Sequence, residues 1–322
     1  VGMDRSSLEK VKNALAAAQV FLTTPFHRED LSVDLEGVAQ NALALVKEGV
    51  RVLVATPGTG EISSLTTDER TAIATRLLRE IKRDVLVIPT IGGAIQDIVK
   101  SAKQLEAKGA RAFLVRPLAG SPSDAEIYEY FGGIASEVKA AVIPEVVGNP
   151  SAPLMDQISD VPNIIAVKWS GKDIGYFQGI VSRLAKANLS WICGLGEMYA
   201  PYFSLAGADG YTSGLMNLVP RLSIRLQGAL ARGDQEQALK LLTELTPLNE
   251  LRTRREGGNS ISVLKAGLDI LGRVGGPVRS PHRELCSQDQ VELEQVLADL
   301  VTKGFCGNQD GKSHLFGKER AG

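Results

Sequence analysis

Eight short apolar runs, evenly spaced and separated by helix-like segments, constrain this chain more than any other feature. They are QVFLTT (19–24), VRVLVAT (50–56), DVLVIPT (84–90), RAFLVRP (111–117), AVIPEVV (141–147), NIIAVK (163–168), LSWIC (189–193) and DGYTSG (209–214). Between them apolar residues recur at three- and four-residue spacing, as in Leu35, Val38, Ala42, Leu43 and Val46, or Ile98, Ala102, Leu105 and Ala107. That is the signature of helices with one buried face. Eight alternating β and α units predict a closed (β/α)8 barrel. A doubly wound open sheet is the competing architecture, but it rarely needs eight even repeats.

The β signal stops after residue 220. The stretch from Pro220 to Gly257 reads as helices broken near Gly233 and Pro247, and SISVLKAGLDILG and SQDQVELEQVLADLVTK add two more. The expected organisation is a barrel over 1–220, a C-terminal helical extension over 221–303, and a polar, Gly-rich flexible tail over 304–322. Met3 reads as the natural start behind two added residues, and VGMDRSSLEK lacks the apolar core of a secretory signal.

The remaining composition excludes several function classes. A net charge of −1 with no Lys/Arg stripe argues against a nucleic-acid partner, and no apolar run approaches a membrane span. Cys193, Cys286 and Cys306 form no CxxC pair, which suits a reducing cytoplasm. His27, His282 and His314 lack metal-ligand spacing, so no metal site is expected. Chemistry must then come from Lys, Thr, Ser, Arg, Glu or backbone groups.

In a barrel of this kind those groups belong at the C-terminal ends of the strands. Lys168 closes the sixth run, where an ammonium is costly to desolvate. Period-two alternation puts Ile164, Ala166 and Lys168 on one face. Facing inward, Lys168 has a depressed pKa and is a nucleophile toward carbonyl carbon; facing outward, it snorkels to solvent. TPGTGE (56–61) is a plain turn or a cradle in which Thr59 and the Gly58 and Gly60 backbone hold a carboxylate. Thr24 in TTPF closes the first strand, and Ser213 in GADGYTSG closes the eighth.

Together these residues resemble the family of dihydrodipicolinate synthase and N-acetylneuraminate lyase, class I lyases acting on pyruvate-like 2-oxo acids. The resemblance runs from about Val20 to Leu300. It rests on TPF (24–26), GTGE (58–61) with LTTDER (65–70), AVKWSG (166–171) and LAGADGYTSGLMNLVP (205–220), in order and at matching spacing. It implies a (β/α)8 barrel with a helical extension, a homotetramer, Lys168 as the Schiff-base lysine, and Thr59 at the substrate carboxylate. No cofactor is implied beyond the covalent imine itself.

The chain also departs from the family. Gly58 stands where the first of two threonines is usual, and Val147 stands where a proton-shuttling tyrosine is usual, so a larger side chain there is expected to crowd the pocket. The family's tyrosines after the fourth-strand proline and its arginine after the fifth-strand motif are also missing. Loss of a general acid/base is worth roughly 10²–10⁴-fold in rate. Glu145 shares the face of Val147 one layer deeper and is the candidate substitute; Arg116 is a candidate for a substrate carboxylate or for a salt bridge to Glu145. An ion pair with no catalytic duty is the bland reading of these two. The expected function is a cytoplasmic Schiff-base lyase of a small 2-oxo acid such as pyruvate or a deoxy-oxo sugar acid, by aldol chemistry or dehydration. The alternatives are a phosphosugar class I aldolase and a catalytically impaired 2-oxo acid binding protein.

Overall fold

The structure, a computed structural model, describes residues 3–306. It opens with helix α1 (Arg5–Leu15), whose cap Asp4 accepts from the Ser7 N–H. Eight β/α units follow: β1 (Ala18–Phe21) and α2 (Leu35–Lys47), β2 (Val52–Ala55) and α3 (Thr67–Glu80), β3 (Leu86–Ile91) and α4 (Ile95–Glu106), β4 (Ala112–Val115) and α5 (Asp124–Glu137). Then come β5 (Ala141–Val146) and α6 (Ala152–Ser159), β6 (Ala166–Trp169) and α7 (Ile174–Arg183), β7 (Ser190–Cys193) and α8 (Ala200–Leu205), β8 (Gly210–Ser213) and α9 (Pro220–Ala231). Each strand pairs in parallel with the next, and β8 pairs with β1. The sheet is therefore the closed (β/α)8 barrel that the alternation predicts, with all eight runs forming strands.

Local chemistry sets where the helices begin. Thr66 and Glu69 form a reciprocal capping box at α3, and Ser123 and Glu126 form another at α5. Asp34, Ser151 and Asp173 cap α2, α6 and α7 through side-chain oxygens.

Strand alternation then sorts side chains into two apolar layers. Val52, Val54, Leu86, Ile88, Leu114 and Ile143 fill the barrel interior, closed from below by Val11 and Leu15 of α1. Leu53, Ala55, Val87, Phe113 and Val142 face outward to the helices. Continuing the inward column past Leu114, Ile143 and Ala166 brings Arg116, Glu145 and Lys168 to the upper rim. One detail of the alternation differs from expectation. Ile164 packs in the outer layer while Ile165 and Ala166 both pack inside. The pleat is broken there because Ile164 makes only an isolated bridge to Val142 and β6 proper begins at Ala166.

Beyond β8 the chain is helical, with α10 (Gln235–Thr253), α11 (Ser262–Ile270) and α12 (Ser287–Thr302) following α9. The expected boundary at 220/221 falls in the first turn of α9, the helix that completes the eighth β/α unit. Gly233, at φ +70°, does end a helix. Pro247, however, lies inside an unbroken α10. A helix-interior proline costs about 3 kcal/mol, and here Leu241, Leu245, Leu248 and Leu251 are buried along the same helix and outweigh it. Phe305 and Cys306 are also buried, so the start of the expected tail is packed; residues 307–322 lie outside the described residues. No helix among the described residues is long and apolar enough to cross a membrane.

Candidate active site

Lys168 is the buried centre of the rim. Its outward neighbour, Trp169, is fully buried against Tyr176, Phe177 and Trp191, which locks the phase of β6 and turns Lys168 inward. Strands β5 and β6 pair with Glu145 directly beside Lys168. The ammonium donates to Glu145 Oε1 at 2.5 Å, and Arg116 Nη1 donates to Glu145 Oε2 at 2.8 Å. Ser170 Oγ reaches the same Oε1 at 3.3 Å. A Cβ at Gly194 would lie 2.5 Å from Ser170 Oγ and 3.0 Å from Lys168 Cε, so glycine there makes room for the lysine.

Burial drives the Lys168 pKa down, against the opposing pull of Glu145, and Arg116 pushes the same way as burial. For Glu145 burial acts upward but is outweighed by Lys168 and Arg116, so the carboxyl stays below its usual range. The arrangement has a chemical consequence. When Lys168 gives up its proton, Arg116 and Glu145 remain as a neutral pair, so a free amine does not leave a lone carboxylate behind. The nearby Cys193 thiol is pushed up to about 12 by burial and does not compete as a nucleophile.

Phe21 connects this cluster to the GTG loop. Its ring centroid lies 5.1 Å from Lys168 Nζ, and its carbonyl accepts from Thr59 Oγ1 at 3.0 Å. Gly60 fits because a Cβ would meet the Leu22 carbonyl at 2.7 Å, whereas Gly58 has open space around it. Among the described residues, the N–H groups of Gly58 and Thr59 donate to no other residue. Thr56, just before the loop, has φ +51° and a buried hydroxyl without a partner. A β-branched residue in that region is strained, a cost usually met where a site demands it.

Two expected ligands are engaged elsewhere. Thr24 Oγ1 donates to Gly60 O at 2.8 Å, so it braces the loop. Ser213 is fully buried, donates to Glu197 and accepts from the Met216 N–H, which takes its hydroxyl out of the mouth. Arg116 sits on Glu145, the salt-bridge alternative. Val147 is 61% exposed just past the end of β5. Ser170, although inside AVKWSG, and Glu197, four residues past LSWIC, were missed as polar groups of this rim; Arg252, on α10, had no motif at all. Among the described residues no group of three or more His, Cys, Asp or Glu could hold a metal.

The fold agrees with comparison to known proteins. The model of the dihydrodipicolinate synthetase family matches residues 14–300. The chain belongs to this family. Its relatives in the family include a probable 5-dehydro-4-deoxyglucarate dehydratase of Saccharopolyspora erythraea, 30% identical over 91% of this chain and 95% of the relative. A 4-hydroxy-tetrahydrodipicolinate synthase of Methanoculleus marisnigri is 29% identical over 88% and 97%. Dihydrodipicolinate synthase from Oceanobacillus iheyensis superposes with a TM-score of 0.87 at 26% identity, covering 92% of this chain and 99% of that one. The sialic acid aldolase of Ruminococcus gnavus, at 20% identity and TM-score 0.83, shares the fold. As a member of the dihydrodipicolinate synthetase family, the chain is a lyase-type enzyme.

Proposed function

We propose that this enzyme is a Schiff-base-forming dehydratase or aldolase of a small 2-oxo acid, with Lys168 as nucleophile. The observation that carries the reading is a buried lysine whose carboxylate partner is shared with an arginine. The neutral amine adds to the oxo carbon, and loss of water from the carbinolamine leaves a protonated imine. That imine draws electrons from the adjacent carbon, which gives its proton to Glu145. The enamine so formed expels its β-hydroxyl, which takes the proton held by Glu145 and leaves as water, and hydrolysis of the unsaturated imine gives product and free Lys168. Aldol chemistry uses the same enamine with an aldehyde as leaving or entering group. The free N–H groups of Gly58 and Thr59 support a carboxylate at the loop.

A deoxy-oxo sugar acid fits best, since several relatives are named as probable dehydratases of 5-dehydro-4-deoxyglucarate. That compound places a deoxy carbon, the site of proton loss, next to its ketone. Exposed Tyr202 and Leu205 on α8 and Leu239 on α10 support self-association, with the homotetramer as the assembly. The free cysteines support a reducing, cytoplasmic setting. Pyruvate with borohydride tests the central claim: it should add a stable adduct at Lys168, read by peptide mass, and none in Lys168→Ala. An unlabelled Lys168 at saturating pyruvate sinks the Schiff-base reading, and turnover of a panel of deoxy-oxo sugar acids then separates dehydration from aldol cleavage.

A further inference from the structure

Arg252, near the end of α10, is a cation without an anion. Its Nε is sealed from solvent and has no hydrogen-bond partner, and Nη2 makes one bond, to Ser260 Oγ at 3.2 Å. Among the described residues it forms no ion pair. The negative field of Glu197 reaches it, but Glu197 Oε1 is taken by the Ser213 hydroxyl and by the Leu215 N–H. A half-buried guanidinium whose Nε is sealed and unpaired gains from any anion that arrives beside it.

Its position says what arrives. A Cβ built on Gly214 would lie 2.9 Å from Arg252 Nη2 and 3.2 Å from Thr59 Cγ2, so the bare glycine lets the arginine and the GTG loop approach each other closely. Gly214 has φ −81°, a conformation any residue adopts, so its backbone does not call for glycine. The missing side chain is needed as room for Arg252 itself. The loop it approaches carries the N–H groups of Gly58 and Thr59, which donate to no other described residue.

We propose that Arg252, reaching in from the helical extension, is the counter-charge for the substrate carboxylate adjacent to the oxo carbon. This rests on the reading above for which carboxylate occupies the loop. A planar guanidinium beside two N–H donors suits a carboxylate's two oxygens. It also supplies charge on the loop where Gly58 offers no hydroxyl.

Two probes test it, one of which needs no imine. Lactate carries the carboxylate but no oxo group, and its millimolar binding is read by ligand-observed NMR; pyruvate is read by the half-saturation of borohydride trapping. Arg252→Gln should weaken both about ten- to a hundredfold, Arg252→Lys should weaken them less, and Lys168→Ala should leave lactate binding intact. Gly214→Ala, whose methyl would press on Arg252 Nη2 and push the guanidinium aside, should match Arg252→Gln and serves if that variant does not fold. Unchanged lactate and pyruvate affinity in these variants overturns the proposal, as does weakening confined to a dicarboxylic substrate, which would put Arg252 at the far end. Lactate weakening with no pyruvate adduct in the parent would retain the anion site and reject the imine.

Discussion

Glu145→Gln separates a proton-transfer role from a structural ion pair. The substitution keeps the size and an acceptor oxygen beside Lys168 but removes the charge 2.5 Å from Nζ. Unit charges about 4 Å apart at an effective dielectric of 20 interact by about 4 kcal/mol. The amide oxygen retains a part of this as a neutral hydrogen bond, and the rest no longer holds the lysine proton. Burial, already the largest influence on Lys168, then goes unopposed. Borohydride trapping should therefore extend to lower pH than in the parent.

Turnover should move the other way, falling by about 10²–10⁴-fold, because the group that accepts the carbon-bound proton is gone. The assay is paired: trapping rate and steady-state turnover of a deoxy-oxo sugar acid, each against pH. A variant whose turnover stays within a few-fold of the parent, at a pH where trapping is equal, refutes the role of Glu145. Stability supplies an independent check. Lys168 in the variant has a folded pKa below its unfolded value of about 10.4, so the unfolded state binds more protons in that window. Melting temperature relative to the parent should thus rise between neutral pH and about pH 10.

Arg116→Met should shift trapping toward alkaline pH, since a like charge near Lys168 is lost; the half-exposed guanidinium is screened, so about 1 kcal/mol, or roughly fivefold slower trapping at neutral pH, is expected. Lys265→Met should destabilise the fold by about 3–5 kcal/mol by leaving Glu61 buried and unpaired, and adding Glu61→Gln should recover a part of that in denaturant titrations. Light scattering at micromolar concentration should give a mass above the 34.4 kDa chain, and a clean monomer would reject the tetramer. Val147→Tyr, at an exposed position, should change stability by no more than about 0.5 kcal/mol and leave turnover within a few-fold.

The barrel was legible because burial on both faces of a parallel strand, set against one buried face on each helix, writes two different periods into the chain. Lys168 was legible because a charge ending an apolar strand violates that pattern. That Glu145 shares the inward face of β5 followed from period two, but its contact with Lys168 depends on the register of β5 against β6, which neither strand encodes alone. Ser213 misled because a hydroxyl at a strand end has no marker for direction; it turned to Glu197, sixteen residues earlier. Pro247 misled because local propensity was overruled by leucines packing across helices. Arg252 was invisible for the same reason: its place beside Thr59 is set by how the extension docks, and no short motif records docking.

The molecule holds a second buried lysine, and comparing the two says why Lys168 is the one proposed as nucleophile. Lys265 on α11 donates to Glu61 Oε1 and to the Thr24 carbonyl, both at 2.8 Å, and lies 4.2 Å from the Phe26 ring centroid. Burial lowers its pKa as it does for Lys168. The difference lies in what deprotonation would strand. Among the described residues Glu61 Oε2 accepts only from the Arg279 backbone N–H, so a neutral Lys265 would leave a buried carboxylate with no cation hydrogen-bonded to it. Glu145 keeps Arg116 when Lys168 loses its proton. Lys265 therefore acts as a fixed tie between α11 and the loops that carry Thr24 and Thr59, while Lys168 stands next to a carboxylate with a second cation and can lose its proton without stranding that carboxylate, as the proposed imine chemistry requires.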